Sequence, residues 1–466
     1  MSPAPRTPES SNLLYRSLKG NAPDLVVGAK GVYLELADGT RILDACAGAA
    51  VASIGHGDER IVSAVSDTLR TLSYHHTSRL TNQKAEALAD VLVGHRPGGL
   101  SKAIFFSSGS EAVESALKLA RQYHVENGQP ERTHYISRLS SYHGNGIGNV
   151  SLTGIPNRRS VYEPLLIKSA SRVSACNQYR GRRDGESDQS YAQRLADELE
   201  EEILRVGPTQ VAAFFAETVV GASGGCMTSV EGYFPAIRRV CDKYGVLLVL
   251  DEVMAGMGRT GKMHAWEWEG VSPDIQTLGK GLNGGYQEPL SALLMHQRVV
   301  DVLAEGTGAF INGHTFQSHP AAAAAGLAVM SVFKTDGIVA NCAARGQELW
   351  DGLHAAVGDH PNVGEIRGRG LFLGIEFVAD KATKATFPVS LPLSQLLDAA
   401  IWKRGCSVYI GFGKGCVDGV RGDHILLAPP LSITSEEVKI IVEAVKGGVE
   451  EVFGSQVVRD AAAEVL

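Results

Sequence analysis

Two residues of opposite charge, Asp251 and Lys280, follow two apolar stretches of this chain. Asp251 and Glu252 directly follow an apolar run at residues 246–250 that predicts a buried strand. Lys280 comes 29 residues after Asp251, behind a second apolar stretch at residues 275–278. The carboxyl ends of parallel strands meet at the ligand-binding edge of an open α/β sheet, so both side chains are expected to face one ligand. An amine and a carboxylate facing one ligand indicate carbonyl or imine chemistry.

A candidate anion site lies at residues 103–123, where an apolar strand, a Ser/Gly turn and an amphipathic helix follow one another. Backbone N–H groups and the positive end of the helix dipole at such a helix start suit a phosphate group. Ser108, Gly109 and Ser110 would surround that phosphate. The alternative is that Ser108 or Ser110 only caps the helix, which is the usual role of serine at this position.

Polar residues also follow other predicted strands. Glu217 comes after the apolar run at residues 211–216, and Tyr142 and His143 precede a glycine in a loop after residues 134–136. The Tyr–His pair marks either a ligand-facing loop or a structural contact. Such strand ends predict an α/β fold with a mainly parallel sheet. The predicted strands end at Phe106, Ile136, Ala216, Leu250 and Leu278.

The length of 466 residues and a change of pattern near residue 330 predict a large and a small domain. We assign residues 61–330 to the large, ligand-binding domain and residues 331–466 to the small α/β domain. Residues 1–60 are expected to add to the small domain, with strands around an Asp-Gly turn at residues 38 and 39. The polar stretch at residues 170–190 is interpreted as a surface excursion.

The composition argues against several classes of partner. A formal charge of −7 without a dense Lys/Arg run disfavours a nucleic-acid surface, and the basic cluster at residues 180–183 is interpreted as a solvated loop. No apolar run reaches the roughly 18 residues of a membrane span, and the N-terminus lacks a signal-peptide core. Seven cysteines without a CxxC pair predict single buried thiols, no metal site and a reducing compartment. We therefore expect a cytoplasmic protein without nucleic-acid or membrane partners.

Residues 256–261 spell GxGxxG, which is typical of dinucleotide-binding sites, and Lys262 extends them to GxxxxGK. The context contradicts both interpretations. Five residues separate the strand from the first glycine, Pro273 interrupts any long helix, and Met263 replaces the Ser/Thr that would hold magnesium. The glycines are expected to shape a turn in which Arg259 anchors a loop through a carboxylate.

Seven segments together resemble the class III aminotransferases, which are pyridoxal-phosphate enzymes of fold type I. They follow the family's order and spacing between about residues 34 and 433, and they read FFSSGSEAVESALKLAR, SYHG, FAET, LLVLDEVMAGMGRTG, PDIQTLGKGLNGGY, HTFQSHP and APPL. The resemblance implies a large domain with a mainly parallel sheet, a smaller α/β domain, and pyridoxal 5′-phosphate as cofactor.

The resemblance also implies roles around the cofactor ring. Lys280 would hold the cofactor aldehyde and, once released, move the substrate proton. Asp251 would pair with the pyridine nitrogen and keep it protonated. Val253 would press on one face of the ring, and Tyr142 would stack on the other.

The implied phosphate site consists of Gly109 and Ser110, with Ser108 nearby, at the helix N-terminus. Thr315 matches a family residue that reaches the phosphate from the neighbouring subunit, which implies a homodimer. Glu217 corresponds to a glutamate near the cofactor hydroxyl and the substrate path. Its alternative is an ion pair with Arg259 or another base.

The implied role of His143 is to support the loop that carries Tyr142. Substrate recognition is assigned to Arg421, because many relatives bind the substrate carboxylate with an arginine shortly before the PPL segment. The alternative is a structural salt bridge from Arg421 to Asp418 or Asp423.

The implied reaction moves an amino group from a primary, ω-type amine or amino acid to an α-keto acid by a ping-pong mechanism. The partners are then a small amine donor and a keto-acid acceptor. An aminomutase, racemase or decarboxylase of the same superfamily is the nearest alternative, and a binding protein on the same fold is another.

Overall fold

The computed structural model of the chain describes residues 11–19, 22–287, 289–411 and 415–465. The strands in this part of the chain are β1 (Val26–Lys30), β2 (Tyr33–Leu36), β3 (Arg41–Asp44), β4 (Leu100–Phe106), β5 (His134–Arg138), β6 (Ala170–Val173), β7 (Val211–Glu217), β8 (Leu247–Asp251), β9 (Ile275–Leu278), β10 (Ser291–His296), β11 (Val363–Arg369), β12 (Phe372–Phe377), β13 (Cys406–Ser407) and β14 (Asp423–Leu427).

Helices alternate with these strands through most of the chain. Those of six residues or more are Glu59–Thr71, Gln83–Val93, Gly109–Glu126, Ile147–Leu152, Asp188–Val206, Tyr233–Tyr244, Gln297–Glu305, Pro320–Thr335, Ile338–Val357, Leu393–Trp402, Ser435–Phe453 and Gln456–Ala463. Within the described ranges no single helix is long and apolar enough to cross a bilayer. One pair, Pro320–Thr335 with Ile338–Val357, passes that test jointly but bends by 67° at its break.

A seven-stranded sheet forms the centre of the molecule, in the order β4-β10-β9-β8-β7-β5-β6. β10 runs antiparallel to both of its neighbours, whereas β9, β8, β7, β5 and β6 pair in parallel. The predicted α/β fold with a mainly parallel sheet is therefore confirmed. All strands except β10 end at the same edge, which brings the residues after them together.

Apolar side chains pack on both faces of this sheet. Every residue of β7 is buried, with Phe214 in the cluster on one face and Phe215 in the cluster on the other. Helix Gly109–Glu126 covers the second face, and helices Asp188–Val206 and Tyr233–Tyr244 cover the first. This two-sided burial explains why the strand sequences are nearly continuous apolar runs.

Two strands of the sheet differ from the prediction. Residues Ala170–Val173, interpreted as part of a surface excursion, form β6 and pair in parallel with β5. They lack an apolar run because β6 is an edge strand in which only Val173 is fully buried. Ser291–His296, which was not predicted as a strand, forms β10 between β4 and β9.

Three of the predicted strands also extend one or two residues further, so that Glu217 and Asp251 are the last residues of β7 and β8.

Two smaller sheets, β1-β2-β3-β13 and β11-β12-β14, complete the fold. The predicted Asp-Gly turn joins β2 to β3, with Gly39 at a φ of +89°. β3 pairs in parallel with β13, which joins an early segment of the chain to residues 406–407. The division into residues 1–60, 61–330 and 331–466 stays a prediction, and residues 1–10 lie outside the described part of the chain.

The glycine-rich stretch 256–261 is a turn, as expected, with Gly258 and Gly261 at positive φ. The expected carboxylate anchor for Arg259 is wrong. Its buried guanidinium donates to the backbone carbonyls of Leu371 and Pro429, at 3.1 Å for Leu371. Carbonyl oxygens can satisfy a buried guanidinium as a carboxylate would, so residue type alone did not identify the acceptor.

The basic cluster at residues 180–183 is only partly a solvated loop. Nε of Arg180 lies 2.5 Å from Oε1 of Glu376, whose side chain is fully buried in β12. Arg367 donates to the other oxygen of Glu376 at 2.6 Å. Arg180 therefore ties this loop to the small three-stranded sheet by a partly buried ion pair, which corrects the prediction.

Candidate active site

A cavity of about 840 Å³ opens at the carboxyl edge of the central sheet. Most of the predicted site residues line it: Ser108, Gly109, Ser110, Tyr142, His143, Glu217, Asp251, Val253 and Lys280. They come from five different strand ends, or from the loop or helix that follows each strand. The topology of the sheet therefore brings together residues that are up to 172 positions apart in the chain.

Asp251 is held in a fixed orientation at the end of β8. It lies opposite Glu217 of β7 and Thr277 of β9 in the strand registers. Its Oδ1 accepts from the backbone N–H of Val253 at 3.1 Å and from the Thr277 hydroxyl at 3.2 Å. Its Oδ2 lies 2.9 Å from Nδ1 of His143. A buried carboxylate with this many partners is a rigid acceptor in the cavity wall.

Lys280 follows β9 and has a φ of +46°, in the left-handed region that residues with a Cβ rarely adopt. Strained residues of this kind cluster at functional sites, where the surrounding structure holds them. Burial lowers the pKa of Lys280 to about 8, although the nearby carboxylates of Glu217 and Asp251 oppose this shift. The unprotonated amine, which is the nucleophilic form, is therefore accessible near neutral pH.

Helix Gly109–Glu126 points its N-terminus at the cavity. Ser108 is its N-cap, with its Oγ accepting from the N–H of Glu111 at 3.2 Å, while Glu111 accepts from the N–H groups of Ser107 and Ser108. The capping role proposed for Ser108 is thus present. Gly109 and Ser110 form the first turn that faces the cavity. This geometry suits an anion next to these two residues.

Two glycines let the backbone approach neighbouring side chains in this wall. A Cβ at Gly109 would lie 2.7 Å from Cγ1 of Val253. Gly144 has a φ of +115°, and a Cβ there would lie 2.6 Å from Oγ of Ser110. A larger residue at either position would force Val253 or Ser110 to move.

Glu217 supports the loop that carries Tyr142. Its Oε1 accepts from the N–H of Tyr142 at 2.9 Å, and its Oε2 accepts from the N–H of Gly221 at 3.0 Å. Burial raises the pKa of Glu217, with His143 opposing and Asp251 reinforcing the shift. The alternative pairing with Arg259 is not formed, because Arg259 is bonded to carbonyl oxygens elsewhere. The phenol of Tyr142 donates to Oδ1 of Asn145 at 3.2 Å.

Two predicted site residues, Thr315 and Arg421, do not line the cavity of their own chain. Thr315 is exposed, and its carbonyl oxygen accepts from the hydroxyl of Tyr74 at 3.0 Å. Arg421 is exposed and forms an ion pair with Asp418, with Nε to Oδ2 at 2.6 Å. Neither is among the described residues that line the cavity. For Arg421, the structure therefore contains the salt bridge that was stated as the alternative.

Among the lining residues that were not predicted, three come from distant parts of the chain. They are Arg16 from the N-terminal segment, Arg158 from the short helix Pro156–Arg159, and Tyr409, which follows β13. Arg16 and Arg158 are exposed. No local pattern singles them out, because their position at the cavity results from long-range packing.

Known proteins resemble this chain over almost its full length. The family model of class III aminotransferases matches residues 16–448. An uncharacterized aminotransferase of Schizosaccharomyces pombe is 48% identical over 436 residues, which cover 94% of each chain.

Solved structures agree with this result. A thermostable (S)-enantioselective omega-transaminase from Thermomicrobium roseum is 36% identical, with 95% of each chain covered and a TM-score of 0.87. The omega transaminase of Pseudomonas jessenii, in complex with PMP, is 32% identical, with 93% of each chain covered and a TM-score of 0.86. The sequence and the fold both match this family, and Asp251 and Lys280 line one cavity. The chain therefore belongs to the class III aminotransferases and is a transaminase.

Proposed function

We propose that this transaminase binds pyridoxal 5′-phosphate in the cavity at the sheet edge, with Lys280 as its attachment point. The observation that carries the proposal is the meeting of an amine, a fixed carboxylate and a helix N-terminus in one cavity. These three groups suit an aldehyde, a ring nitrogen and a phosphate, respectively. The match to a relative that contains PMP supports the same cofactor class.

The residues present fit such a group. Gly109 and Ser110 would hold the phosphate at the helix N-terminus. Val253 lies against Gly109 and would bound one face of the ring, and Tyr142 would bound the other. When bound, pyridoxal phosphate supplies an aldehyde for the amino group and a ring that takes up an electron pair.

The chain's own residues would carry out the remaining tasks. Asp251, oriented by His143, would keep the proton on the ring nitrogen. Nζ of Lys280, with its lowered pKa, would accept and return the proton of the substrate carbon. Glu217 would act as a positioning residue, because one of its oxygens holds the backbone N–H of Tyr142 and the other holds that of Gly221 in the loop after β7.

We propose as substrates a primary amine or ω-amino acid as donor and an α-keto acid as acceptor, in a ping-pong reaction. The similarity to omega-transaminases supports this donor class. The test is a panel of amine donors with pyruvate, followed through the cofactor absorbance and by product analysis. We expect stoichiometric ketone or aldehyde and alanine. Donor consumption without these products, or release of CO₂, would contradict the proposal.

We further propose a homodimer, in which Thr315 of one protomer reaches the phosphate site of its partner. Thr315 is exposed and is not among the described residues that line the cavity of its own chain, which supports this arrangement. A cytoplasmic location is also proposed. It is supported by the seven cysteines, all of which are buried and without disulfides, as expected of a reducing compartment.

A further inference from the structure

The charges of the cavity are distributed unevenly between its buried and exposed parts. Among the described residues that line it, the carboxylates are Glu217 and Asp251, and both are buried at the ends of β7 and β8. The exposed part carries the guanidinium groups of Arg16 and Arg158. A substrate that enters with a carboxylate would therefore meet positive charge at the mouth of the cavity.

Arg158 lines the same cavity as Tyr142 and Tyr409. Burial raises the pKa of Tyr142, and the charge of Arg158 opposes this shift. Burial also raises the pKa of Tyr409, where the charges of Arg16 and then Arg158 oppose it. The charge of Arg158 therefore acts on both tyrosines of this cavity.

The short helix that carries Arg158 is anchored on both sides of it. Nδ2 of Asn157 donates to the carbonyl of Gly419 at 2.8 Å. Nη1 of Arg159 donates to the carbonyls of Ser151 and Thr153, each at 3.1 Å. Because its neighbours are fixed, Arg158 is presented from a constrained backbone, which lowers the entropy cost of binding a ligand.

The loop that contains Arg421 has a different role from the one expected of it. Asp418 accepts from the N–H groups of Val420 and Arg421 and pairs with the Arg421 guanidinium, so this turn is held locally. Through Gly419 the same turn supports Asn157, next to Arg158. The loop of Arg421 therefore braces the arginine that reaches the cavity.

We propose that Arg158, assisted by Arg16, binds the carboxylate of amino-acid donors and keto-acid acceptors and so determines which substrates this transaminase prefers. A guanidinium can form two parallel hydrogen bonds to a carboxylate, which gives orientation as well as attraction. The donor class in this inference rests on the proposed function. The binding of a carboxylate by Arg158 does not depend on it.

The test compares two donors that differ only in the carboxylate, 4-aminobutyrate and 1-butylamine, in single-turnover reactions of the holoenzyme. For Arg158→Gln we expect kcat/KM with 4-aminobutyrate to fall about 10- to 100-fold, as on loss of a charge-assisted hydrogen bond. The value for 1-butylamine should change less than about twofold, and Arg158→Lys should recover part of the loss. Arg70→Gln is the control, because Arg70 is exposed and pairs only with its helix neighbour Asp67 in the described contacts.

A second readout does not depend on turnover. Glutarate, which has carboxylates but no amine or ketone, is titrated into the holoenzyme and its Kd is measured by calorimetry. Arg158→Gln should weaken this binding about 10- to 100-fold, and Arg70→Gln should leave it unchanged. If the wild type accepts neither donor while glutarate binding still depends on Arg158, the donor class is wrong and the inference holds.

Three results would overturn the inference. One is an equal loss for both donors in Arg158→Gln, which indicates a structural role. Another is no loss with either donor and unchanged binding of glutarate. The third is that Arg421→Gln, rather than Arg158→Gln, causes the selective loss for the carboxylate donor.

Discussion

Nδ1 of His143 lies 2.9 Å from Oδ2 of Asp251, and the side chains of both residues are almost fully buried. Because Val253 and Thr277 donate to the other oxygen, each oxygen of Asp251 has a partner on the protein side. The carboxylate can therefore neither rotate nor move away without breaking hydrogen bonds in a buried environment, which is costly. This fixed orientation is what a carboxylate needs in order to hold a proton on a ring nitrogen.

Asp251→Asn should retain the shape of the site and lose its charge. We expect the rate of the amine half-reaction to fall about 100- to 1,000-fold, similar to the loss of a preorganised electrostatic contact in other enzymes. Stopped-flow absorbance of the holoenzyme with a saturating donor measures this rate. A variant that keeps more than half of the wild-type rate would show that the charge of Asp251 is not used.

The close contact between Gly109 and Val253 predicts that a second substitution can partly reverse the effect of a first one on cofactor affinity. Gly109→Ala would place a Cβ 2.7 Å from Cγ1 of Val253, so Val253 must move toward the space proposed for the ring. Cofactor affinity should then fall about tenfold or more, in line with the cost of overpacking. Adding Val253→Ala removes the clashing methyl groups and should restore part of the affinity.

Equilibrium titration of the apoenzyme with pyridoxal phosphate measures both variants, with Val253→Ala alone as the control. If the double variant binds the cofactor no better than Gly109→Ala, the clash is not the cause of the loss.

The lowered pKa of Lys280 predicts how cofactor attachment depends on pH. The neutral amine reacts, so the rate for the apoenzyme should rise about tenfold per pH unit below pH 8 and level off above it. An amine with the ordinary pKa of 10.5 would show a rise that continues through about pH 10. Stopped-flow absorbance across this range distinguishes the two cases.

The lowered pKa of Lys280 also makes the free energy of unfolding depend on pH. The pKa of Lys280 is lower in the folded chain than its ordinary value, so the unfolded chain binds more protons between about pH 8 and pH 10.5. The contribution of Lys280 to the free energy of unfolding therefore increases with pH across this window. Below about pH 8 the amine is protonated in both states, and the contribution no longer changes.

Much of the site could be predicted from the sequence because strand ends are local features. A charged residue directly follows a buried apolar run at Glu217 and at Asp251, and Lys280 follows one after a single glycine. The parallel topology then brings such strand ends together. The glycine turn at residues 256–261 was also predictable, because its spacing from the strand does not suit a nucleotide. In both cases a few neighbouring residues determine the result.

Features that depend on distant contacts could not be predicted in this way. The helix that carries Arg158 is held by a hydrogen bond between Asn157 and Gly419, 262 positions apart. β6 has a polar sequence because it lies at the edge of the sheet, and only its pairing with β5 identifies it. Arg259 was correctly recognised as an anchor, but its carbonyl acceptors belong to distant segments.

The proposed homodimer predicts complementation between two inactive variants. Lys280→Ala lacks the amine, and Thr315→Glu would place a negative charge next to the partner's phosphate site. In a mixed dimer one site contains both changes and the other contains neither. Random mixing should therefore restore roughly a quarter of wild-type activity, because half of the dimers are mixed and each has one intact site.

Co-expression with two affinity tags and purification on both isolates the mixed dimer, which should retain about half of the wild-type activity because one of its two sites is intact. Light scattering gives its mass. A monomeric protein, or a mixed dimer without activity, would contradict the role proposed for Thr315.

The most direct test of the central claim is borohydride reduction of the purified holoenzyme, followed by peptide mapping. Reduction should fix a single phosphopyridoxyl group on Lys280, and Lys280→Ala should show no such adduct together with a loss of turnover of at least about 1,000-fold. Attachment to another lysine in the wild type, or an unchanged adduct in Lys280→Ala, would contradict the account.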